Sequence, residues 1–140
     1  MLPRLYRQAP LNSIWEGSGN IQCLDVLRAL QREPATLDSL RAEFESASGR
    51  HPAFDAWTAA MAVETASILS AETDAAQARS RAWVERLALA LQAATLLRGG
   101  SPIADVFCRT RLDGGRGVAY GTLSFAVDVE TALARAGAGT

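Results

Sequence analysis

The chain has no lysine. All fourteen of its basic residues are arginines, set against fifteen acidic residues for a formal net charge of −1. So even a balance leaves no overall positive field to draw the molecule to nucleic acid or to a membrane surface. Arginine grips phosphates and carboxylates better than lysine does, but a lysine-free, alanine-rich chain reads first as the product of a GC-rich genome. Histidine occurs once, at His51, and cysteine twice, at Cys23 and Cys108. Neither cysteine has a partner at metal-ligand spacing and His51 is far from both in sequence, which argues against a structural zinc or any other metal site. Cys23 lies beside Leu24 and Leu27, and Cys108 beside Val106 and Phe107, so both read as small buried hydrophobes of a reducing compartment. No apolar run reaches the length of a membrane span, and no hydrophobic stretch follows Arg4 and Arg7. The expectation is a cytoplasmic protein with no membrane partner.

Strand-like alternation, internal repeats and low-complexity linkers are also missing, and what remains is helical patterning. At 140 residues the chain suffices for one domain that buries roughly two-thirds of its unfolded surface. Leu2 to Gln8 reads as the tail of a helix. Ile21, Leu24, Leu27 and Leu30 form an apolar stripe that ends before Pro34. Leu37, Leu40, Phe44 and Ala47 predict a short helix capped by Thr36 and stopped by Gly49. Pro52 suits the first turn of a longer helix through Trp57, Met61, Thr65 and Ile68. A second long helix, through Ala76, Trp83, Leu87, Leu91, Ala94 and Leu97, closes at Gly99-Gly100 and pairs antiparallel with it. Ser101-Pro102 reads as a cap and first helical residue leading through Val106 and Phe107, and Asp128 as the cap of a last helix from Val129 to Arg135. Gly114-Gly115-Arg116-Gly117 lacks the context of a phosphate loop and reads as a turn. The fold class that follows is an all-α bundle of five or six helices.

The chemistry concentrates in Asn12-Ser13-Ile14-Trp15-Glu16-Gly17-Ser18-Gly19-Asn20-Ile21-Gln22. Glu16 stands between a large apolar ring and a glycine, a setting that can desolvate a carboxylate and raise its proton affinity toward that of a general base. Ser18, Gly19 and Asn20 offer capping groups and backbone amides at a helix N-terminus, where an anion is favoured by hydrogen bonds and by the helix dipole. Taken alone, a Glu before Gly at a helix start is most often a cap or a solvated loop residue.

The pattern Trp15-Glu16-Gly17-Ser18-Gly19-Asn20-Ile21-Gln22 resembles the catalytic turn near the C-terminus of flavin-dependent acyl-CoA dehydrogenases. The longer run, with Leu2-Pro3-Arg4-Leu5-Tyr6-Arg7, Pro10-Leu11 and Cys23-Leu24-Asp25-Val26-Leu27-Arg28-Ala29-Leu30, resembles the AidB-like, DNA alkylation response branch of that family. A looser likeness covers Pro102 to Leu112 and Tyr120 to Leu123. The resemblance implies that Glu16 is the base that takes the α-proton of an acyl thioester as hydride passes to FAD. It implies that Gly17 contacts substrate and that Ser18, Gly19 and Asn20 contact the flavin. The sequence departs from the common pattern at Gly19-Asn20, where typical members carry a larger residue. Residues 1–140 would then be a single C-terminal helical domain of a truncated or split family member, without the N-terminal helical and central β-domains. Such a piece would be inactive alone and would not retain FAD. The implied partners are an acyl-CoA-like substrate, and either further copies of the chain or a chain that carries the missing domains. The branch also implies double-stranded DNA, for which Arg28 and Arg111, with Arg109 and Arg116, are the candidate phosphate contacts. If the helices are instead an interaction fragment, exposure of Trp15, Trp57 or Trp83 would reveal it.

Overall fold

The computed structural model describes residues 2–13, 19–114, 122–123 and 125–137. Among these the chain forms seven α-helices and no strand, an all-α bundle as expected, with one helix beyond the upper figure of five or six. Helix α1 (Leu2–Gln8) leads through a 3-10 turn at Ala9–Ser13. Then come α2 (Gly19–Arg32), α3 (Pro34–Glu45), α4 (Pro52–Leu69), α5 (Thr73–Arg98), α6 (Ala104–Arg111) and α7 (Val129–Ala136).

Helix α5 is the organising element. Its 26 residues are rich in alanine, leucine, arginine and glutamine, all strong helix formers, and it packs against α2, α3, α4 and α6. One stripe of it is buried: Ala76, Ser80, Trp83, Leu87, Ala90, Ala94 and Leu97. The first half of that stripe meets Leu27 and Leu30 of α2 and Met61 and Ile68 of α4. The second half meets Phe54 of α4, Ala47, and Ala104, Cys108 and Leu112 around α6. Helices α4 and α5 run antiparallel, as expected. Trp57 Nε1 donates to the Arg86 carbonyl at 3.2 Å, and Trp83 Nε1 to Thr65 Oγ1 at 3.0 Å. The Arg86 guanidinium lies over the Trp57 ring at 4.5 Å and pairs with Glu64 at 3.0 Å. Trp83 is fully buried and Trp57 partly so, which makes both of them core residues; Trp15 lies outside the described residues.

Gly99-Gly100 ends α5 as expected. Gly100 is left-handed (φ 60°), its amide bonds the Leu97 carbonyl, and the Ser101 amide reaches back to Leu96 at 2.9 Å. This double bond pattern satisfies the last carbonyls of the helix, and glycine avoids the strain that a side chain would meet there.

Four local expectations are corrected. Helix α3 starts at Pro34 rather than after Thr36, because proline suits the first helical position; the Thr36 amide already bonds the Glu33 carbonyl. Its helix ends at Glu45, so Ala47 is buried from the following turn, while Gly49 takes φ 76° and its amide is held by Asp55. Ser101 does not cap α6 through its side chain. Its carbonyl accepts the Ala104 amide, and its buried Oγ has no hydrogen-bond partner among the described residues. Ile21 and Leu91, placed on inner stripes by their spacing, are exposed.

Candidate functional site

The N-terminus of α2 is where the sequence places the chemistry. Of the predicted site residues, Glu16, Gly17 and Ser18 lie outside the described residues, while Gly19 and Asn20 open the helix. Helix α2 is fixed at this place by Cys23, Leu27 and Leu30, which it buries toward the core, while Asn20 stays exposed. No acidic side chain occupies its first turn. The partial positive charge of the helix end is therefore not offset by the helix itself, and the first amides of any α-helix lack an acceptor within it.

Packing of α2 on α5 adds a group that the sequence reading missed. The Arg81 guanidinium stands 4.0 Å from where a Cβ on Gly19 would be, and among the described residues it makes no ion pair. Nothing local in the sequence signals this, since Arg81 reads as one more solvated arginine of a long helix. A helix end with a guanidinium beside it is a setting that suits an anionic group such as a phosphate.

The candidate nucleic-acid residues do not gather. Arg28 is exposed on α2 and bonds Asp25 at 2.7 Å, in a shallow depression with Arg32 and Glu33. Arg111 is exposed at the end of α6, which packs on the other half of the α5 stripe. Arg109 faces Asp105 at 3.7 Å and stacks on Phe125, and Arg116 lies outside the described residues. Among the described residues, Arg28 and Arg109 are each paired with a carboxylate and Arg28 and Arg111 stand on different helices, so these three make no phosphate-tracking stripe.

A half-open apolar cleft of about 340 Å³ opens between α3 and α4. Leu37, Phe44, Met61 and Leu87 line it, with Arg41 and Asp55 among its polar residues. Among the described residues no cluster of three or more histidines, cysteines or carboxylates could hold a metal, and no helix is long and apolar enough to cross a membrane. Cys23 and Cys108 are free and buried. Burial, with Asp105 adding to it, pushes the Cys108 thiol up from 9.0 to about 11, so it stays protonated at neutral pH and is a poor nucleophile.

The architecture alone defines only an all-α bundle with an anion-favouring helix end. Over 54 residues the chain is 56% identical to AidB of Escherichia coli (strain K12), a protein named as a provisional acyl-CoA dehydrogenase. Those residues are 39% of this chain and 10% of that protein, so the match spans about a tenth of the relative's length. No family model matches the chain, and no solved structure matches it significantly.

Proposed function

We propose that this chain is the C-terminal helical domain of an AidB-like, flavin-dependent acyl-CoA dehydrogenase-type protein, and that it contributes one wall of a flavin site built jointly with domains outside these 140 residues. The identity to AidB over 54 residues carries the reading. The opening of α2 at Gly19-Asn20 beside Arg81 supports it. Glu16 is the base that takes the α-proton of an acyl thioester, Gly17 contacts the substrate, and Ser18, Gly19 and Asn20 hold the cofactor. FAD, when bound, supplies the acceptor for the β-hydride. Arg81 offers positive charge at the same helix end and favours the phosphates of the cofactor or substrate.

The reading frame upstream of Met1 is the first test. An in-frame β-domain and helical domain there support the proposal, whereas a stop codon and promoter immediately upstream overturn it. In the protein with those domains, Glu16→Gln is expected to keep the bound flavin's absorbance while lowering turnover by at least about 100-fold, the usual contribution of a positioned base. The 140-residue chain alone should neither bind FAD stoichiometrically nor reduce it with an acyl-CoA.

An assembly role is favoured by a separate observation. Val63 on α4, Leu5 and Tyr6 on α1, and Val129 and Leu133 on α7 are large apolar side chains left exposed. Coverage by further copies or by partner domains would take such side chains out of water. Sedimentation across a concentration series tests this, and a monomer at every concentration removes self-association. Double-stranded DNA forms no part of the reading, since no observation on the arginines favours it.

A further inference from the structure

We propose that His51 is a proton-operated latch joining the start of α4 to α6. His51 occupies the N-cap position of α4 with extended backbone, and its Nδ1 accepts the Ala53 amide at 3.1 Å. An amide N–H can only donate, so Nδ1 carries no proton, and the single proton of the neutral ring sits on Nε2. Nε2 lies 3.3 Å from Asp105 Oδ1, in the first turn of α6, and donates to it. Two helices thus fix one tautomer, in a ring whose side chain is only 12% exposed. The other carboxylate oxygen of Asp105 faces Arg109 at 3.7 Å, and the Arg109 guanidinium lies 3.4 Å from the centre of the Phe125 ring. Asp105 is therefore shared between the α4 cap and the group that holds the segment leading to α7.

Proton uptake makes both ring nitrogens donors. The Ala53 amide then meets an N–H in place of a lone pair, and a positive charge arrives at the positive end of the α4 dipole. At the same time the imidazolium attracts Asp105 more strongly. The other charged groups lining the same depression are Arg109 of α6 and Asp113, and the charged residues near His51 in sequence are Arg50 and Asp55. Asp55 already accepts the Gly49 amide, and Arg50 donates to the Leu97 carbonyl, so Asp105 is the group that answers the new charge. Protonation exchanges a helix cap for a tighter interhelical ion pair. The first turn of α4 loosens, Asp105 shifts toward His51, and Arg109 loses part of its counter-charge.

The latch is tested on the whole 140-residue chain by NMR at a series of pH values from alkaline to acid. Nitrogen-15 labelling of the histidine should show the Nε2–H tautomer at the alkaline end. On acidification the Ala53 amide should exchange several-fold faster than pH alone explains, and the Phe125 ring resonances should move with the same midpoint. His51→Ser, which caps without titrating, should abolish both responses. Asp105→Asn keeps the ring and the cap, so the Ala53 response should persist while the Phe125 response disappears. An Nδ1–H tautomer in the neutral ring, an Ala53 amide indifferent to the titration, or responses that survive His51→Ser overturn the proposal.

Discussion

Trp83 is fully buried, and its indole nitrogen rests on a single hydroxyl, Thr65 Oγ1, supplied by the facing helix. Thr65→Val keeps the shape but removes the acceptor, leaving a buried N–H unpaired. The expected loss is about 1–3 kcal/mol, seen as a lower urea midpoint with an unchanged slope. A variant as stable as the parent would show that the bond adds nothing net. Cys108 gives a second prediction at this scale. Its thiol holds a proton to about pH 11 in the folded chain, against 9.0 for an ordinary thiol, chiefly because it is buried. Between those values the unfolded chain binds fewer protons than the folded one, so stability falls as pH rises through the window and is unaffected below it. The absence of lysine keeps amine titration out of the same range. Cys108→Ala should flatten the alkaline decline in denaturation curves recorded at successive pH values.

Helix α7 shows how an element can hang on its cap. It has eight residues and no buried side chain, too short to persist on its own propensity. Asp128 accepts the Thr131 amide at 3.0 Å and the Thr131 hydroxyl at 2.6 Å, and these bonds hold its carboxyl below the usual 3.8. A carboxylate with a lowered value stabilises the helix above the ordinary range and releases it as pH falls through the lowered value. Asp128→Ala should therefore melt α7 at neutral pH, while the parent loses it only as pH falls below the usual carboxylate range. Carbon-13 shifts of Val129 to Ala136 report both, and a helix that survives the substitution refutes the dependence. Caps of this kind were legible because Asp128 and Pro52 act on their own neighbours. Stripes were legible less reliably. Ile21 and Leu30 are linked by three steps of three residues, which at 3.6 residues per turn carries them about 180° apart, so burial of Leu30 turns Ile21 to solvent. The Asp105 contact of His51 and the approach of Arg81 to Gly19 could not be read at all, because each depends on how two helices distant in sequence pack.

Across the whole molecule, the helices differ in what holds them. Helix α5 is enclosed by four neighbours, whereas among the described residues α1 and α7 contribute none to either core cluster. Local opening free energies in a protein run from near zero at such margins up to the global value in the core. With no lysine, every tryptic site is an arginine, so protease attack samples this gradient with one residue type. Arg4 and Arg7 lie in α1 and Arg135 in α7, while Arg79, Arg81, Arg86 and Arg98 lie in α5. In a brief trypsin digest read by mass spectrometry, cuts at the first three should precede those in α5. Cleavage after Arg86 demands the most disruption, because its guanidinium is stacked on Trp57 and its carbonyl accepts the Trp57 indole bond, so opening there separates α4 from α5. Early cutting within α5 would mean that the bundle is not organised around that helix. Loss of that order in Thr65→Val would then connect the hydroxyl under Trp83 to the cohesion of the whole domain.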